Sequence, residues 1–395
     1  MVQLTRRQLT VLILGLMATG IGQSLVFAIL APLGREVHLT EVQITSIIAV
    51  SALVYGLASP HWGRFSDRVG RKPVIITGLI GYAVGTLLFT STFYAGMAGL
   101  LSGSLFYATV LGTRVCQALV MSATNPASTA YAADNTERGQ RTRTMARLGT
   151  ASSMGTILGP AVSGALATLG LLAPLYFAAA LATVAAFMVW RFLPLTPPQD
   201  RHGYKTAARL RYTDRRISLL LLCAVGLFIG FSGIQQTLGF QLQDKLHLSG
   251  IQTAQLTGAA LMVSAVFTFL IQMTVMQRVQ LKTTQFIRIG LMALLIGAGV
   301  ISTFETFPVL AVGMAFLGSG TALCMPAISA GASLAVESSE QGAAAGLVAS
   351  CPAIGFSVGP VCAGALYQID PILAPLFSAA VFAVVLLIIT FRDRR

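Results

Sequence analysis

Long apolar runs leave this chain one solvent in which to fold. Twelve of them, 10–33, 44–62, 74–94, 100–124, 147–168, 173–193, 217–238, 254–276, 286–304, 307–330, 343–366 and 372–391, follow one another almost without relief. Each approaches the roughly 20 mostly apolar residues that cross a hydrocarbon core of about 30 Å. Across 395 residues the chain is 55% hydrophobic and only 10% charged, too apolar to cover a soluble surface of this size. Helices are predicted, because a helix satisfies its own backbone hydrogen bonds in lipid. Residues 10–22 have the look of a signal-peptide core, but the apolar run continues to Leu33, so a retained first span is expected.

A net charge of +13 raises the question of nucleic acid, and its distribution answers it. If the N-terminus is cytoplasmic, twelve spans place both ends and every even-numbered loop inside. Those segments hold all the Lys and Arg residues except Arg35, Lys245 and Arg114, which lies within a span. This is the positive-inside bias of a membrane protein. The expectation is a multi-pass protein of a bacterial inner membrane, with no nucleic-acid partner and a functional monomer. The five cysteines fall in spans without metal-ligand spacing, and the four histidines are scattered, so no metal and no catalytic residue is expected.

The chain also repeats itself. "GQSLVF" (22–27) matches "QQTLGF" (235–240), setting Gln23 over Gln236; "EVHLTEVQ" (36–43) matches "KLHLSGIQ" (245–252). "NPA" (125–127) matches "MPA" (325–327), and "GTILGPAVSGAL" (155–166) matches "GFSVGPVCAGAL" (355–366). Four matches in one order imply an ancient duplication. An even number of spans separates equivalents, so the halves share an orientation and are related by an axis along the membrane normal. The predicted division is a six-helix bundle over 1–194, a polar cytoplasmic linker over 195–216, and a second bundle over 217–395.

One short loop carries five of the charges: "GRFSDRVGRK" (63–72). With Gly63, Asp67, Arg68, Gly70, Arg71 and Lys72 it resembles the loop signature of the major facilitator superfamily. "RVCQA" (114–118) is similar to the fourth-span motif of its drug:proton antiporter branch, with Ala118 where glycine is usual. "GTILGPAVSG" (155–164) is similar to the fifth-span motif of its exporters, with Ser163 replacing a glycine. The resemblance covers essentially the whole chain. It implies an all-α membrane fold of twelve helices in two pseudo-symmetric bundles, working by alternating access.

Topogenic charge alone accounts for Arg64, Arg71 and Lys72 but not for Asp67, since acids contribute little to orientation. The resemblance implies that Asp67 latches the cytoplasmic side shut against the start of the eleventh span. "SSEQGAAAG" (338–346) offers that partner, with a capping box expected from Ser338 to Gln341. Arg71 and Asp134 would extend the network. Gly155, Gly159, Pro160 and Gly164, echoed by Gly359 and Pro360, allow close helix approach and a bend. Packing alone and a leak-sealing role implied by the resemblance both remain open for them.

Arg114 is the sharpest signal, because an arginine mid-span costs about 2.5–3.5 kcal/mol on insertion scales. Snorkelling is a long reach from that position, and a cavity-facing role is favoured. Gln117, one turn on, shares its face, and Gln23, Gln236, Gln235 and Tyr55 join the candidate substrate site. All thirteen acids lie in loops or at span ends. A cationic substrate would find no buried counter-charge, whereas a carboxylate would neutralise Arg114. The reading is export of a small anionic or zwitterionic, siderophore-like metabolite. A proton-coupled multidrug pump is the alternative, and an uptake permease a third. No cofactor is called for; the resemblance implies a proton gradient as energy source. An enzyme would need an acid/base or metal set within the spans, and a receptor a soluble output domain; neither is present in the sequence.

Overall fold

The computed structural model describes residues 5–195, 210–279, 281–337 and 340–392, without the side chains of residues 138, 139, 141, 142, 146 and 277. Most of the linker expected at 195–216 lies outside the described residues. Thirteen α-helices are present among the described residues: α1 (Arg6–Glu36), α2 (Glu41–Val69), α3 (Arg71–Met97), α4 (Gly103–Met121), α5 (Thr124–Asp134), α6 (Arg138–Leu166), α7 (Ala173–Phe192), α8 (Ser218–Leu246), α9 (Gly250–Arg278), α10 (Thr283–Thr303), α11 (Phe307–Leu334), α12 (Gln341–Ile369) and α13 (Leu373–Arg392).

Twelve spans result, because α4 and α5 are two halves of one. Ser122 and Ala123 between them keep α-helical dihedrals. Pro126 has no N–H to give the Ser122 carbonyl, so the helix bends there and continues. Eleven of the twelve are long and apolar enough to cross a membrane by length and composition. The exception is α6, whose sequence opens on Arg138, Arg141, Arg143 and Arg147 before turning apolar.

Contacts divide the chain into two compact units, Met1–Arg201 with Leu248–Gly258, and His202–His247 with Ala259–Arg395. In the first unit α1 packs on α6 and α7, and α3 on α4 and α7. In the second, α8 packs on α12 and α13, and α10 on α11 and α13. The same pairing map, drawn twice, is the duplication made visible.

The loops repeat as well. His38 and His247 both take left-handed backbone, at φ 59° and 50°, just past α1 and α8. Each is followed by a capping box. Thr40 and Gln43 exchange bonds at the start of α2, as do Ser249 and Gln252 at the start of α9. This register sets Gln23 opposite Ser232, one helical turn from Gln236. The match of "GQSLVF" to "QQTLGF" is therefore corrected: apolar helix sequence tolerates a one-turn slip that the loop between helices does not. Helix contacts agree to within a residue, because Ser24 Oγ donates to the Gly155 carbonyl (3.5 Å) and Ser232 Oγ to that of Gly355 (3.0 Å).

Candidate functional site

The first unit holds a small cleft between α1, α2, the α4–α5 bend and α6. Thr19, Gly20, Gln23, Tyr55, Met121, Thr124, Asn125 and Ser152 line it. Thr124 and Asn125 open α5, and Asn125 reaches Tyr55 on α2. Asn125 Nδ2 donates to the Tyr55 hydroxyl at 3.4 Å, and Gln23 lines the cleft beside Tyr55. Thr124 Oγ1 is buried with no hydrogen-bond partner. The walls thus offer neutral donors and acceptors and one flexible apolar side chain, with no charge. Such a lining orients a ligand by hydrogen bonds without demanding a fixed sign.

Arg114 is not on those walls. It is 6% exposed, and its Nη1 donates to Gln117 Oε1. Gln117 Nε2 in turn donates to Thr86 Oγ1 and reaches the Tyr82 carbonyl at 3.4 Å. The guanidinium also lies 5.5 Å from the centroid of Phe89, while its Nε is buried without a partner. The cluster joins α3 to α4, and Tyr82 connects it to α1: any side chain at Gly22 would run into the Tyr82 ring. Arg114 and Gln117 are brought together, as are Gln23 and Tyr55, but the two pairs form separate groups with Tyr82 between. Gln236 and Gln235 belong to the second unit, on α8, where Gln236 Nε2 and Gln235 Oε1 are buried and unpartnered.

At the membrane-exit end of α2, Gly70 turns the chain at φ 102°, which a side chain rarely adopts, and starts α3 on Arg71. Arg71 is 6% exposed and pairs with Asp67 on one side and Asp134 on the other (Nε–Oδ2 3.0 Å). Its Nη1 also donates to Ser66 Oγ at 2.6 Å and the Gly63 carbonyl at 3.3 Å. Gly63 has room for a side chain, which would make ordinary contact with Pro126. Arg68 is exposed, and Lys72 Nζ donates to the Trp190 carbonyl at 2.7 Å.

The expected capping box is corrected. Ser338 lies outside the described residues, and α12 begins at Gln341 with Glu340 as N-cap and no side-chain cap bond. Gln341 sits too early in the helix to close such a box. Instead Glu340 accepts from Arg216 at 2.7 and 3.0 Å, and Arg216 also binds Asp214 at 2.9 Å. Hydrogen bonds from Arg216 hold both carboxyls below their usual range and raise the guanidinium in return. This clasp had a weak signal in sequence: Asp214 and Arg216 stand two residues apart, but Glu340 is 124 residues further along the chain.

The small residues pack as their size allows. A side chain at Gly155 would strike the Met17 carbonyl, at Gly159 Ser24 and the Ile21 carbonyl, and at Gly359 Ser232 and the Ile229 carbonyl. Gly164 faces Gln255 in the first turns of α9, and Pro160 and Pro360 lie inside α6 and α12.

Comparison with known proteins agrees with this architecture. The model of the Major Facilitator Superfamily matches residues 12–301 and 220–395. The chain is 27% identical over 371 residues to Multidrug resistance protein 1 of Bacillus subtilis, covering 92% of this chain and 90% of that one. It is 25% identical over 252 residues to Multidrug resistance protein D of Escherichia coli, covering 62% and 61%. The crystal structure of the nucleoside transporter NupG shares the fold, with a TM-score of 0.76 over 99% of this chain and 100% of that one, at 13% identity.

Proposed function

The chain belongs to the Major Facilitator Superfamily, and we propose that within it the protein is a proton-coupled exporter of broad specificity, of the drug:proton antiporter kind. That it is a multi-pass secondary transporter follows from family and fold; substrate, direction and coupling are the proposal. The observation that carries it is similarity along nearly the full length to a multidrug resistance protein. The anionic, siderophore-like substrate expected from Arg114 has less behind it than this alternative.

The cleft supports the same reading. Gln23, Tyr55, Asn125 and Met121 offer hydrogen bonds and a deformable surface to amphipathic molecules of differing shape. Arg114 and Gln117 then work from behind, fixing Tyr82 and the α3–α4 contact. Asp67, Arg71 and Asp134 form the conformational latch, and the glycine and proline positions of α6 and α12 let bundles bend as access alternates. Both termini face the cytoplasm of a bacterial inner membrane, by the distribution of Lys and Arg, and the working unit is the monomer. A second reading, a carboxylate-bearing substrate on Arg114, is favoured by one observation, the unpartnered Nε.

Everted vesicles separate the two at two proton gradients. A lipophilic dye accumulating with the gradient, with a tricarboxylate ignored, is the result expected. Uptake of the tricarboxylate alone would overturn the proposal.

A further inference from the structure

The lipid-facing rim of the first unit carries a second set of groups, apart from the cleft and the Asp67–Arg71–Asp134 network. Where α1 begins and α7 ends, the Arg7 guanidinium lies 4.1 Å from the centroid of Phe192, and that of Arg191 lies 5.6 Å from the same centroid. Beside them Lys72 reaches the Trp190 carbonyl. No carboxylate among the described residues pairs with any of these three cations, and no guanidinium N–H of either arginine meets an acceptor on a described residue. Two like charges are thus gathered on one ring with both guanidinium forks unfilled. A ring face compensates part of their repulsion; an anion between them would compensate the rest and fill the forks.

The surface next to this cluster defines the anion's other half. Trp190 and Phe187 are 60% and 58% exposed on α7, with rings 5.9 Å apart. On a membrane-spanning helix that exposure is to acyl chains, and a tryptophan at such a place marks the interface. A cationic cluster at headgroup level directly beside an aromatic wall at chain level has the shape of a phospholipid. The geometry points to a binding site for one anionic phospholipid, its phosphate held by Arg7 and Arg191 with Lys72 adjacent, and an acyl chain lying on Phe187 and Trp190. Each arginine held at an anionic headgroup favours it about fivefold over a neutral one, so two unpaired arginines together set a preference of roughly 25-fold over a zwitterionic lipid.

The chain has two tryptophans, Trp62 and Trp190, which makes the test direct. In the full-length Trp62→Phe variant, reconstituted in phosphatidylcholine vesicles, Trp190 reports alone. Dibromo-phosphatidylglycerol should quench it more than the same fraction of dibromo-phosphatidylcholine. Unbrominated phosphatidylglycerol should relieve that quenching by competition, and unbrominated phosphatidylcholine should not. Adding Arg7→Gln and Arg191→Gln should bring the two brominated lipids to parity. The exposed cations Arg64 and Arg211, changed to Gln as a pair, should leave the preference intact. Equal quenching by both lipids in the parent would overturn the site. So would an equal loss of preference in the Arg64/Arg211 pair, which would reduce the effect to general surface charge. Should the Arg7/Arg191 variant fail to fold, competition in the parent decides alone.

Discussion

Each bundle ties one arginine between two carboxylates at a helix end, yet the two arrangements differ in a way that sets their consequences. Arg71 is 6% exposed, with Asp67 across the α2–α3 turn and Asp134 on α5. Arg216 is 42% exposed, with Asp214 two residues away and Glu340 at the start of α12. A buried charge holds its partners because leaving any one unpaired is costly. An exposed one trades partners for water at little cost. Removing Arg71 should therefore be felt throughout the first bundle, and removing Arg216 only locally.

The largest expected effect is Arg71→Ala. Breaking a buried pair costs about 3–5 kcal/mol, so thermal unfolding of the purified protein should move down sharply and transport should vanish. Asp67→Asn comes next. Arg71 keeps Asp134, so membrane insertion and stability should hold while transport is lost; normal transport would refute the latch. Arg216→Ala should lower the melting temperature far less than Arg71→Ala, and an equal drop would break the comparison.

The smallest effect is one of pH. Asp214 and Glu340 have folded-state pKa values below those of unfolded carboxylates, so the stability they lend is present above the unfolded values of about 4. It is lost as pH falls through the lower folded values. The difference in melting temperature between the parent and Arg216→Ala should stay constant from neutral pH down to about 5 and close only in stronger acid. A difference that closes between neutral pH and about 5 would show that carboxylates other than these two control the clasp.

Much of the fold could be read from residues alone, because a helix that crosses lipid must be mostly apolar. The spans, the duplication and the membrane class all follow from that requirement. The helix start at Thr40 and Gln43 belongs to the same class of local signals. What failed was long-range register. The six-residue match of Gln23 to Gln236 is off by one turn because similar apolar faces recur every turn, whereas His38 and His247 mark the turns themselves.

The site was legible in pieces. Arg114 and Gln117 stand one turn apart on α4, so their contact is local. That Tyr82 would stand between them and Gln23 depends on Gly22 allowing its ring to approach α1, which spacing along the chain does not reveal. Thr19, Thr124, Asn125 and Ser152 were missed because single small polar residues in spans are commonly interhelical glue. They meet in one cleft only where α1, α2, α5 and α6 pack together.

The division of labour between cleft and buried arginine is tested most directly by equilibrium binding of a transported dye to purified protein. Gln23→Ala should weaken binding several-fold to about tenfold, the loss of one hydrogen bond, while Arg114→Lys should bind as the parent does yet transport poorly. Intact binding in Gln23→Ala with binding lost in Arg114→Lys would contradict the account.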